Sequence, residues 1–184
     1  MPQVMNGQDI QRAVRRIAHE ILERHRGAES VVIVGIHTRG VHLARLLGNL
    51  IADFEGVEVP VGQLDIGAYR DDRGIRSDDR RRRRGHEAAS TEIPTDISDQ
   101  SVIVVDDVLY TGRTVRAALD ALSDVGRAHR TELAVLVDRG HRQLPIRADY
   151  VGKNLPTSQN EVVRVRIPPV DREQGVWVER NGAP

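Results

Sequence analysis

Three short runs of β-branched residues limit the folds open to this chain. Val31–Ile36, Ser101–Val105 and Thr131–Val137 are too short for helices and carry no polar alternation. Such runs are strands covered on both faces, as in a parallel sheet sandwiched by helices. The stretches before and between them have helical spacing. Ile10, Ala13, Val14, Ile17, Ala18, Ile21 and Leu22 form one apolar stripe, and Gly27 ends that helix. Gly40–Ala52 repeats the pattern through Leu43, Leu46, Leu47 and Leu50. Arg113–Val125 turns Val115, Ala118, Leu119 and Leu122 inward. Strands alternating with helices predict an α/β fold with a mainly parallel central sheet. Val57–Ala68, Tyr150–Val151, Glu161–Ile167 and Val176–Val178 read as further extended pieces, with Pro60 marking an edge or irregular position.

A length of 184 residues suits one domain over 1–184, with ample chain to bury a core. Formal net charge is zero, so any nucleic-acid binding must come from local clustering of charge. Lys153 is the only lysine and arginine supplies the other cations. The absence of cysteine excludes disulfides, thiolate metal sites and a Cys nucleophile. The N-terminal MPQVMNGQDI lacks the regions of a signal peptide, and no apolar run approaches the roughly 18 residues of a membrane span. A cytoplasmic protein is expected. Between Arg70 and Arg84 lie eight arginines and four aspartates with almost nothing apolar, the composition of a mobile loop or hairpin.

The densest chemistry is Val102–Thr114, an apolar strand running into Asp106 and Asp107, then Val108, Leu109, Tyr110, Thr111, Gly112, Arg113 and Thr114. Ligands of open α/β sheets sit beyond the carboxyl ends of strands. Backbone N–H groups at the turn Thr111–Thr114, where a helix begins, suit a phosphate, and the two threonine hydroxyls add donors. The two carboxylates repel a phosphate but accept hydrogen bonds from ribose hydroxyls. Together they describe a ribose 5-phosphate site. A Walker loop is excluded, since no Gly-Lys-Ser/Thr follows. Thr38-Arg39-Gly40 follows the first strand at the same sheet edge, where Arg39 suits a second phosphate group.

At Val102–Thr114 the sequence resembles the type I phosphoribosyltransferases, whose loop for 5-phosphoribosyl-1-pyrophosphate (PRPP) has this order. It is similar, more narrowly, to the bifunctional pyrimidine-operon regulatory proteins that are also uracil phosphoribosyltransferases. Gly35–Gly40, Tyr69–Asp72, Val137–Arg142 and Leu144–Asn154 carry that closer likeness, which runs from about residue 10 to 167. It departs at Gly67-Ala68, where a Thr-Leu pair is usual, and in the dense Arg80–Arg84.

The resemblance implies a type I phosphoribosyltransferase fold with a flexible loop at 70–84 and a small hood to which 138–184 contributes. It implies conversion of uracil and PRPP to UMP and pyrophosphate, with Mg²⁺ bound mainly through PRPP and no protein metal site. Asp106, Asp107 and Arg39 are then catalytic, and Thr38 with Arg39 forms the pyrophosphate loop, where relatives hold a cis peptide. Val108 to Thr114 bind the ribose phosphate, Arg139 lies in the nucleotide site and the segment around Val163 meets uracil. It also implies a homo-oligomer and UMP-dependent binding of pyrimidine-operon mRNA. The basic face of Arg12, Arg15, Arg16 and His19 is the expected RNA surface. The PRPP loop does not read the base, so a phosphoribosyltransferase for another nucleobase, without RNA-binding regulation, is the alternative.

Overall fold

The structure is a computed structural model that describes residues 2–70 and 91–180. Residues 71–84 of the charged loop lie outside the described residues. A five-stranded sheet forms the centre. Its strands are β2 (Val31–Ile36), β3 (Val61–Leu64), β4 (Ser101–Leu109), β5 (Arg130–Asp138) and β6 (Tyr150–Asn154), in the order β3-β2-β4-β5-β6. Every pairing in it is parallel.

Both faces of this sheet are covered, which is why its strands read as unbroken apolar runs. Along β2, Val31 and Ile33 enter one core, while Val32, Val34 and Ile36 enter the other. Ile103 and Val105 of β4 oppose Val102 and Val104 in the same way. The first core is closed by α1 (Gly7–His25) and α2 (Arg39–Glu55), and the second by α3 (Arg113–Val125).

Local chemistry fixes the ends of α1. Asn6 accepts from Asp9 N–H at 2.9 Å and Asp9 accepts from Asn6 N–H at 2.9 Å, a reciprocal capping box. At the other end Arg26 adopts φ 56° and Gly27 φ 124°, closing the helix where the glycine was read. One inward assignment is corrected. Leu119 of α3 is 39% exposed, because Val115, Ala117, Ala118, Ala121 and Leu122 form the buried stripe. Leu119 stands about 100° round the helix from Ala118, at the rim.

The second sheet is antiparallel, in the order β1-β8-β7, built from β1 (Gln3–Asn6), β7 (Glu161–Arg166) and β8 (Gly175–Arg180). β1 has no sequence signature of its own, and it is extended because Gln3 and Met5 pair with Trp177 and Val176. The extended stretch read over Val57–Ala68 contracts to Val61–Leu64, an edge strand entered from Pro60.

Candidate functional site

The crevice arises where the sheet's connections diverge. From β2 the chain crosses by α2 on one face to β3, and from β4 by α3 on the other face to β5. The carboxyl ends of β2 and β4 therefore flank an opening. The register sharpens it. β2 pairs with β4 only as far as Gly35↔Val105, whereas β5 pairs on to Leu109↔Asp138. Asp106 and Asp107 thus lie within β4, not after it, with the neighbouring strand gone on one side. Continued pairing with β5 carries the strand past the expected end at Val105.

The start of α2 fills that side. Gly40 packs onto β4 so closely that a Cβ there would collide with the Val105 carbonyl oxygen and lie 3.3 Å from Asp106 Cα. Only glycine lets the Thr38–Gly40 turn reach the acids. The His37–Thr38 peptide is cis. Thr38 sits at the N-cap of α2 without a side-chain capping bond, and Arg39 is its first residue.

The acids are crowded. Asp106 accepts the Asp107 N–H at 2.9 Å, and Asp107 accepts the Val108 N–H at 2.8 Å. Burial, followed by the charge of Asp107, holds the Asp106 carboxyl well above the usual carboxylate range. Burial also raises Asp107, with the charge of Arg39 among the opposing influences.

Beyond them, Tyr110 to Gly112 form the turn into α3. Gly112 has φ 92°, a left-handed conformation at the helix N-cap, with Leu144 and Ile146 against it at 3.4 Å from an added Cβ. The 142–146 segment clamps the back of the turn. Gln143 and Leu144 N–H donate to Thr111 O at 2.9 and 3.2 Å, and Arg142 donates to Tyr110 O at 2.8 Å and pairs with Asp138. At the opening of α3 the Arg113 N–H donates to Thr111 Oγ1 at 3.4 Å, which holds that hydroxyl at the helix start.

The chain matches the family described as Phosphoribosyl transferase domain over residues 2–169. It is 55% identical over 186 residues to "Bifunctional protein PyrR" of Thermus aquaticus, covering 98% of this chain and 97% of that one. The protein of that name from Deinococcus radiodurans is 57% identical over 168 residues, covering 91% and 88%. The chain belongs to the PyrR-type phosphoribosyltransferases. Among solved structures, the hypoxanthine phosphoribosyltransferase of Trypanosoma cruzi superimposes with a TM-score of 0.72 at 19% identity, covering 98% of this chain and 97% of that one. That likeness bears on the fold alone, a type I phosphoribosyltransferase architecture.

Within this phosphoribosyltransferase frame the site residues read from the sequence fall into three places. Thr38, Arg39 and Asp106 to Thr114 come together around the crevice. Arg139 stands beside them but is 5% exposed and occupied. Its guanidinium covers the Tyr110 ring at 4.1 Å and donates to Thr157 Oγ1 at 3.1 Å and Ser158 O at 3.2 Å. His141 reinforces that loop, with Nε2 2.5 Å from Thr157 O. Val163 lies on β7, an edge strand packed towards β4, with its side chain in the main core.

Arg12, Arg15, Arg16 and His19 form the third place, all exposed on α1 and away from the crevice. None dangles. Arg12 pairs with Asp9 at 2.5 Å, and Arg16 reaches Val151 O and Gly152 O at 3.0 and 2.8 Å. Arg15 lies over the Phe54 ring, on which His19 stacks with centroids 4.2 Å apart.

Asp171 had no usable signal in the sequence, and Arg142, at the end of the Val137–Arg142 stretch, had a place there but no assigned role. Asp171 grips Arg39 from 132 positions away, and Arg142 braces the turn through backbone carbonyls. The described residues contain no group of three or more His, Cys, Asp or Glu side chains able to hold a metal ion. No described helix is long and apolar enough to cross a membrane.

Proposed function

We propose that this chain transfers the phosphoribosyl group of PRPP to uracil, giving UMP and pyrophosphate, and that it controls pyrimidine genes by UMP-dependent binding of their mRNA. The observation that carries the transferase reading is the acid pair, Asp106 buried and Asp107 half-buried, set between two helix N-termini. The N–H groups and hydroxyls at Thr111–Thr114 take the 5-phosphate, and Asp106 and Asp107 accept from the ribose hydroxyls. Thr38 and Arg39 at the α2 start take the pyrophosphate, while the segment around Val163 and the wall made by Arg139 and Tyr110 bound the base. In the reaction the C1–O bond to pyrophosphate breaks, uracil N1 bonds to C1, and the N1 proton is released. Positive charge grows on the ribose as the bond breaks, so fixed carboxylates beside it stabilise the transition state without rearranging.

Mg²⁺ fits this donor set as a partner of PRPP. Two adjacent carboxylates and a phosphate-rich substrate suit a hard cation that keeps water, not an all-protein cage. When bound it supplies charge neutralisation of the pyrophosphate oxygens. The chain's own residues position the two ends of PRPP so that C1 meets the base. The regulatory half is supported by the relatives named bifunctional and by the rigid basic face of α1. We assign the functional unit to a homo-oligomer of single-domain chains in the cytoplasm. Formation of UMP from uracil and PRPP with Mg²⁺, and retention of pyrimidine-operon leader RNA on filters with and without UMP, test the two halves separately.

A further inference from the structure

Arg39 already holds an anion. Its Nε donates to Asp171 Oδ2 and its Nη2 to Asp171 Oδ1, both at 2.9 Å, a two-point fork on a carboxylate. Asp171 belongs to the turn joining β7 to β8, so the pair ties the small antiparallel sheet to the start of α2. The carboxylate is held firmly in place. Oδ2 also accepts the Ile167 N–H at 2.9 Å, and the Asp171 N–H donates to Ile167 O at 3.0 Å. The hydrogen bond from Arg39 keeps the Asp171 carboxyl below the usual carboxylate range, so it is an anion at neutral pH.

A carboxylate and a phosphate present a similar pair of oxygens to a guanidinium. Both are favoured at a helix N-terminus, where Arg39 begins α2. One fork cannot serve both in full. We propose that Asp171 is an internal competitor for Arg39, displaced by the pyrophosphate group, and that it sets the affinity of the site for PRPP and pyrophosphate. This rests on the assignment of Arg39 to the pyrophosphate group.

The consequence is selective. Apparent pyrophosphate affinity is reduced by the fraction of molecules in which Arg39 is released from Asp171. UMP has no group at that position and is untouched. Exchange of one anion for the other also frees the turn at 167–171 from α2, so substrate binding is linked to the attachment of the small sheet.

Asp171→Asn removes the charge while keeping an oxygen acceptor for the Ile167 N–H. Titration calorimetry with inorganic pyrophosphate and Mg²⁺ should show binding roughly three- to tenfold tighter than wild type. The KM for PRPP should fall in parallel, with UMP affinity unchanged. In an Arg39→Ala background the same substitution should have no effect on pyrophosphate. Asp171→Ser, which also offers an acceptor, repeats the test should the first variant fold poorly. Equal or weaker pyrophosphate binding in the folded variant overturns the proposal. So does tightening that persists without Arg39, which would be general electrostatics. The binding arm needs no nucleobase. Tightening without any uracil transfer would sink the transferase reading alone, and normal transfer with unaltered pyrophosphate binding would sink this inference alone.

Discussion

Asp106→Asn should make the protein more stable and nearly inactive at once. Asp106 is 7% exposed, and its carboxyl is raised by burial and then by the neighbouring charge of Asp107. An amide keeps an acceptor for the Asp107 N–H and carries no charge to desolvate. The gain at pH 7 should be about 1–2 kcal/mol, or a Tm higher by about 2–8 °C for a chain of this size. Above the usual carboxyl value of 3.8 the native state keeps a proton that the unfolded chain has released. Wild-type stability therefore falls as pH rises from 3.8 through the raised value, and the substitution removes that slope. Below 3.8 the two proteins should converge. Meanwhile kcat/KM for PRPP should drop roughly 10- to 150-fold, from loss of a charge-assisted bond worth about 1.5–3 kcal/mol. Thermal melts across pH, run beside initial rates, supply both numbers. A variant less stable than wild type at pH 7, or one using PRPP at the wild-type rate, refutes the reasoning.

Arg39→Ala should weaken pyrophosphate and PRPP binding by about tenfold or more while UMP affinity holds, and equal loss for both ligands would make Arg39 structural. Glu132 is 3% exposed and accepts from Tyr150 Oη at 2.7 Å and His25 Nε2 at 2.8 Å, with Arg24 at 3.1 Å. Glu132→Ala should therefore cost about 3–5 kcal/mol and lower Tm by roughly 6–20 °C, against which a shift of a degree would count decisively. Arg12→Ala/Arg16→Ala should flatten the log–log salt slope of RNA binding by about 1.4–1.8 with uracil transfer intact. An unchanged slope would remove α1 from the RNA surface. Arg16 also secures Val151 and Gly152 carbonyls, so the melt of this double variant is the necessary control.

The sequence disclosed what is local and periodic. The β2, β4 and β5 runs, the stripe of α1 and the strand-acid-turn order of Val102–Thr114 each depend on neighbours a few positions apart. What it withheld depends on distant pairing. β1 is a strand only because β8 lies beside it. β4 runs past Val105 because β5 continues to pair there, and Leu119 faces out because Val115, Ala118 and Leu122 with Ala117 and Ala121 fill the buried stripe of α3. At the site, the placement of Thr111–Thr114 and Arg39 at strand ends beside the acid pair was legible. The occupation of Arg39 by Asp171 was not, since a lone aspartate after Pro-Pro-Val resembles any turn residue. Arg139 shows the converse. Its place near the crevice was expected from the family resemblance, but its bonds to Thr157 and Ser158 belong to a loop with no marker.

The most direct test is initial-rate kinetics of the purified chain with PRPP, Mg²⁺ and a panel of uracil, cytosine, hypoxanthine, guanine, adenine and orotate. Transfer to uracil should exceed transfer to every other base by at least about a hundredfold in kcat/KM, because a site built to hydrogen-bond one base leaves buried polar groups unpaired with another. UMP and pyrophosphate should appear in equal amounts. Comparable or faster transfer to a purine, or no phosphoribosyl transfer to any base, would contradict the account.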